Sequence, residues 1–177
     1  MGLTAGCAAL GLATALVAGC ADAPTDSTAQ SPEATDTRRV PITVVERGGQ
    51  TMALVPITIE GEGPFTFVLD TGASASVVDD DVARELNLPR TGERRPISGV
   101  IGTDRAPVVE MRDWRAGEVT LEATDAAVID MPESSQTQPI EGLLGQPIEG
   151  LLGSDVLSGF GRITIDYTNE ALLLPAR

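Results

Sequence analysis

The sequence predicts an all-β domain carrying one or two short helices. Two observations lead there: apolar side chains recur at every second position in short runs, and Gly and Pro interrupt those runs at close intervals. Hydrophobic residues make up 42% of the chain but aromatics only 3%, so Ala, Val, Leu and Ile must fill the interior.

In order along the chain, Val55, Ile57 and Ile59 alternate with Pro56, Thr58 and Glu60, the pattern of a strand with one buried face. Gly61-Glu62-Gly63-Pro64 supplies a turn. Phe65, Phe67 and Leu69 then alternate with Thr66, Val68 and Asp70, which completes a hairpin and puts Asp70 on the face opposite the phenylalanines. After a TGAS turn, Ser76-Val77-Val78 is a short apolar run. Asp79-Asp80-Asp81 then opens a helix over 82–88, with Asp80 and Arg84 at i and i+4, and Asn87 and Pro89 marking its end. The acidic triplet reads as a cap and a complement to the helix dipole, not as a metal site.

The segment 93–107 has two glycines and no sustained periodicity, and reads as a mobile loop or hairpin tip. Further strands are expected at 106–112, 118–129, 162–167 and 171–174, with Thr168-Asn169-Glu170 turning between the last two.

Residues 8–18, AALGLATALVA, form an uncharged apolar run too short to span a bilayer but suited to a signal-peptide core. Leu16-Val17-Ala18-Gly19-Cys20 resembles a bacterial lipobox, which implies lipidation of Cys20, although no Lys or Arg precedes the apolar run. Residues 21–37, rich in Ala, Thr, Ser, Pro and Asp, bury too little surface to offset their ordering entropy and read as a tether. Hydrophobic periodicity begins at about Val40 and is clearest from Met52. The expected organisation is a signal peptide over 1–19, a disordered tether over 20–50 and a folded domain over 51–177. The expected location is the periplasm or surface of a bacterium, with membrane attachment only through the lipid.

Composition narrows the chemistry. The chain has 177 residues, twelve basic against twenty-six acidic, a net charge of −14, and no histidine or lysine. Such a surface repels nucleic-acid phosphates, so nucleic acid is not an expected partner. Without histidine there is no Ser-His-Asp triad and no imidazole metal ligand; without lysine there is no Schiff base. The only cysteines are Cys7 and Cys20. No cofactor or metal is expected, and acid-base chemistry falls to carboxylates.

A single carboxylate activates water for peptide hydrolysis poorly, because a proton must also reach the carbonyl oxygen. Two carboxylates a few ångströms apart cannot both ionise, so the pair carries one proton and supplies both a base and an acid. Here FVLDTGAS, 67–74 with its preceding strand, resembles the active-site signature of aspartic proteases. LLGSDVL, 151–157, resembles the second element of that family, and ITIDYTNEALLL resembles the closing hairpin of bacterial retropepsin-like aspartyl proteases. The resemblance covers about residues 52–177 and implies a retropepsin-like closed β-barrel, one lobe of the acid protease fold.

That resemblance also implies roles. Asp70 is the catalytic aspartate, in a loop completed by Thr71, Gly72, Ala73 and Ser74. Thr71 bonds across to the partner's loop, and Gly72 lets the backbone approach substrate. Leu151, Leu152 and Gly153 pack behind the loop, and Ser98, Gly99 and Val100 belong to a flap. With one DTG in the chain, the second aspartate comes from a second copy in a C2 homodimer. Asp155 and Asp166 read as turn or capping residues, and Ser154 as the cap of a short helix. Viral members commonly pair an Asp two beyond the active-site Gly with an Arg after the second motif's Gly; Ser74 and Ser154 stand in those places here.

QPIEGLLG occurs twice in tandem, at 138–145 and 146–153, and an even shift preserves strand alternation. The second copy is expected in the structural slot because only it runs on into SDVLSGF. Two functions fit the sequence: an aspartic endopeptidase acting on peptide or protein, or a non-catalytic lipoprotein that binds a peptide or protein partner in the same cleft.

Overall fold

A computed structural model describes residues 36–47, 49–99, 102–131 and 147–176. Val100, Cys20 and the first copy of the repeat lie outside them.

The first two strands, β1 (Thr37–Pro41) and β2 (Thr43–Arg47), fall inside the segment 20–50 expected to be tether. Val40 and Ile42 enter the core and Val45 enters a smaller apolar cluster, so VPITVV buries enough surface to order its backbone. Ordered structure therefore starts earlier than residue 51.

Next come β3 (Gln50–Ile59) and β4 (Glu62–Leu69), the expected hairpin. They are followed by β5 (Val77–Asp79) and helix α1 (Asp80–Glu85). Helix α1 starts two residues before the expected span and ends at a Leu86 cap. Asp79 is its N-cap, accepting from the Asp81 N–H at 2.8 Å, and its other oxygen accepts from the Met131 N–H at 2.9 Å. Arg84 bonds Asp80 at 3.0 Å and also pairs with Asp81. The acidic triplet thus works as a cap and as helix-terminal charge.

Of the two readings of 93–107, the hairpin tip is the one the structure has: the stretch forms the outer part of a long hairpin of β6 (Arg90–Gly99) and β7 (Gly102–Met111), and its strands run through most of it. Its outer part carries exposed Arg94 and Arg105, which reach across to each other's backbone carbonyls, so no apolar alternation marks it. Short strands β8 (Trp114–Ala116) and β9 (Val119–Thr120) follow, then β10 (Thr124–Ile129). The single strand expected at 118–129 is therefore broken, and β8 is additional; the Trp114 indole, fully buried, donates to the Glu122 carbonyl at 2.8 Å.

After residue 147 come β11 (Gly150–Leu152), helix α2 (Ser154–Leu157), a 3-10 turn, β12 (Thr164–Asp166) and β13 (Ala171–Pro175). The larger sheet has the order β6-β7-β10-β5-β11-β4-β3-β8-β9, with β2 added on β3. A second, three-stranded sheet has the order β1-β13-β12. The closed barrel implied by the resemblance is not formed among the described residues. At one end β9 is two residues long and pairs only with β8, and at the other β6 pairs only with β7.

One face of the larger sheet covers a core built on Phe67, Ile57, Ile59, Met111, Trp114 and Leu152. Its other face carries the smaller cluster of Val45, Leu54, Met131 and Ile148.

Candidate active site

β4 delivers Asp70. Its buried residues Phe65, Phe67 and Leu69 point into the core, so the alternation leaves Thr66, Val68 and Asp70 partly exposed on the other face. The strand direction is set by two neighbours, β3 antiparallel on one side and β11 parallel on the other, with Leu152 opposite Leu69.

β11 lies between β4 and β5, parallel to the first and antiparallel to the second. Residues 70–76, which connect β4 to β5, must therefore cross over the end of β11, and that end fastens them. The Asp70 N–H donates to the Leu152 carbonyl at 3.0 Å, extending the ladder by one bond. The Gly153 N–H donates to Ser76 Oγ at 3.0 Å. Both the N–H and the hydroxyl of Ser154 donate to the Ala73 carbonyl, at 2.8 and 2.7 Å. Asp155 accepts from the Ser76 N–H at 2.9 Å and from Ser76 Oγ at 2.8 Å, with Thr124 Oγ1 at 3.4 Å.

Ser154 and Asp155 thus do other work than expected. Gly153, not Ser154, occupies the N-cap of α2, and no side chain caps that helix. Asp155 ties the connection between β4 and β5, through Ser76, rather than capping. Asp166 is a turn residue as expected: it accepts from the N–H groups of Thr168 and Asn169 and from the Asn169 amide, in the β12–β13 hairpin. The Asn169 amide, then those backbone donors and the Arg39 charge, hold the Asp166 carboxyl below its usual range.

Within the loop, the Gly72 N–H donates to Asp70 Oδ1 at 2.8 Å and the Ala73 N–H to the Asp70 carbonyl at 3.3 Å. The carboxylate is therefore oriented by its own turn while its other oxygen has no hydrogen-bond partner among the described residues. Thr71 and Gly72 are exposed, and no described residue bonds the Thr71 hydroxyl.

Two glycines are required by contact. A Cβ on Gly150 would sit 2.3 Å from the Phe67 ring, and one on Gly153 would sit 2.8 Å from the Ala75 carbonyl carbon. Leu152 is fully buried in the core behind the loop, whereas Leu151, on the other face of its strand, is only partly buried. Ser98 and Gly99 end β6, opposite Thr103 and Gly102 of β7.

Sequence reasoning missed Ser76, Thr124 and Glu149. Ser76 is fully buried at the start of an apolar run, and a buried hydroxyl there is a signal that a partner must exist. Glu149 accepts from the Thr66 N–H at 2.8 Å beside β4. Burial pushes its carboxyl up; the Thr66 bond opposes this, and the charges of Asp79 and Glu85 add to it.

Residues 55–156 match the family model described as Aspartyl protease. Among solved structures, the chain is similar to a retropepsin-like aspartic protease from Rickettsia conorii. The TM-score is 0.50 and the identity 17%, over 81% of this chain and 95% of that one, a likeness of fold. No curated protein matches.

Proposed function

The chain belongs to the aspartyl protease family, and on that premise we propose that it is an endopeptidase in which Asp70 activates water, two copies each supplying one Asp70. The observation that carries this reading is the fastening of residues 70–76 over the end of β11. A partly exposed carboxylate is held there on a rigid ladder, with one oxygen bonded to Gly72 and the other open.

The second carboxylate is assigned to another copy because the two intramolecular alternatives are occupied. Asp155 is bound to Ser76, and Asp166 is bound within its own hairpin turn. The exposed Thr71 supports the same reading, since its hydroxyl is available to the partner's loop. In the pair, one carboxylate takes a proton from water while the other, protonated, gives its proton to the scissile carbonyl oxygen. Ser98, Gly99 and Val100, at and beside the end of β6, are assigned to a flap over the substrate. Cys20 is assigned as a lipid anchor that keeps the protein outside the cytoplasm; incorporation of labelled fatty acid into wild type and into Cys20→Ala alike would refute that.

Asp70→Asn tests the catalytic reading. It is expected to leave the unfolding transition nearly unchanged and to abolish cleavage of a mixed peptide library. Wild-type activity per chain is expected to fall on dilution, as the pair of aspartates separates. Equal cleavage by wild type and Asp70→Asn would refute Asp70 as the catalytic group, and no cleavage by wild type from acid to neutral pH would favour the non-catalytic reading, in which the same cleft binds a peptide or protein partner. Activity per chain that stays constant on dilution, with a monomer in sedimentation, would remove the dimer.

A further inference from the structure

The strand that fastens the active-site loop comes from the second copy of QPIEGLLG, and its described contacts are made by residues that the first copy also has. Ile148 is fully buried in the smaller cluster. Glu149 exchanges two bonds with Thr66, its N–H donating to the Thr66 carbonyl and its carboxylate accepting from the Thr66 N–H, both at 2.8 Å. The Phe67 ring fills the place a Cβ on Gly150 would take, Leu151 pairs with both β4 and β5 and Leu152 with β4, and the Gly153 N–H reaches Ser76 Oγ. Ile140, Glu141, Gly142, Leu143, Leu144 and Gly145 repeat this order eight residues earlier. Because eight is even, the earlier set presents the same side chains to the same faces of the sheet.

The copies part only after the last glycine of each. The second runs into Ser154 and Asp155, which bond Ala73 and Ser76. The first runs into Gln146 and Pro147, and a proline offers Ser76 neither a carboxylate nor a backbone N–H.

We infer that the β11 slot accepts either copy, so that the folded chain exchanges between two registers, and that only the second-copy register places Ser154 and Asp155 directly against the active-site loop. Exchange moves eight residues from the β10–β11 connection to the β11–α2 connection. Closure entropy varies logarithmically with loop length, so shortening the already long β10–β11 connection returns little, whereas lengthening the one-residue β11–α2 connection costs more. That cost and the loss of the bonds of Ser154 and Asp155 set the balance in favour of the second copy. The exchanged register keeps the sheet but releases the loop that carries Asp70.

The test reads folding, not cleavage, so its outcome is independent of whether the chain is a protease. Valine at Gly150 cannot share space with the Phe67 ring, and valine at Gly142 meets the same obstacle in the exchanged register. In the full chain, urea unfolding is monitored through the sole tryptophan, buried Trp114. Gly142→Val is expected to unfold at the wild-type midpoint. Gly150→Val is expected to retain a cooperative transition at a lower midpoint, rescued by the first copy. The double variant, with both slots blocked, is expected to lose the transition or to unfold at a midpoint well below that of Gly150→Val. If Gly150→Val and the double variant behave alike, the first copy does not enter the slot and the inference is overturned.

Discussion

Asp155 grips Ser76 twice, one carboxylate oxygen accepting from its N–H at 2.9 Å and the other from its hydroxyl at 2.8 Å, across 79 residues of sequence. Ser76 in turn accepts from the Gly153 N–H, so the three residues form a closed knot at the point where the Asp70 loop re-enters the sheet. Two bonds from one carboxylate to one residue leave that residue little freedom to turn, which suits a joint that holds a loop in place.

Asp155→Ala removes both acceptors and leaves the buried Ser76 N–H and hydroxyl unsatisfied. A loss of about 2–4 kcal/mol is expected from urea midpoints, since bonds to a charged group contribute about 1.5–3 kcal/mol each and are not additive. Asp155→Asn retains one acceptor for the N–H and is expected to fall between wild type and Asp155→Ala. A stability for Asp155→Ala within about 0.5 kcal/mol of wild type, the size of an ordinary surface substitution, would show that the knot carries no load.

Gly153→Ala brings a methyl to within 2.8 Å of the Ala75 carbonyl carbon and 2.9 Å of both its oxygen and Asp155 Oδ1. Two of those neighbours are backbone and cannot swing aside, so the loop itself must shift. The expected cost is about 1–3 kcal/mol, accompanied by loss of cleavage. Full peptide cleavage in a variant with unaltered stability would contradict the close packing of loop on strand.

Glu149 sets a pH dependence of stability. Burial holds its carboxyl above the ordinary glutamate range, with Asp79 and Glu85 adding and the Thr66 N–H opposing. The folded state therefore keeps this proton more tightly than the unfolded chain does. The contribution is fullest in acid, below the ordinary glutamate value, and is lost as pH rises through the raised one. Glu149→Gln keeps an acceptor for Thr66 without the charge, so its stability relative to wild type is expected to rise as pH rises from the ordinary glutamate value, about 4.3, towards neutrality. Parallel stability profiles for the two proteins over that range would refute the assignment.

Legibility in the sequence tracked the range of the forces involved. The β3–β4 hairpin, the Asp79 cap and the position of Asp70 arise from alternation and turn chemistry within a few residues, and the structure has all three. LLG behind the loop was readable only through family resemblance, because its pairing with β4 spans more than eighty residues. The strands β1 and β2 were hidden beside a polar stretch of sequence, their apolar positions spread over two sheets. The work of Asp155 was hidden too: an acidic residue at the start of a short helix reads as local, whereas its partners, Ser76 and Thr124, lie beside β5 and on β10.

The placement of β11 between β4 and β5 has a consequence for biosynthesis. A ribosome delivers Asp70 long before it delivers Ser154 and Asp155, and until those emerge the residues that connect β4 to β5 lack the bonds that fasten them. A nascent or prematurely terminated chain therefore carries Asp70 on an unfastened turn. The late-made end of the polypeptide thus acts as the key that sets the Asp70 turn in place.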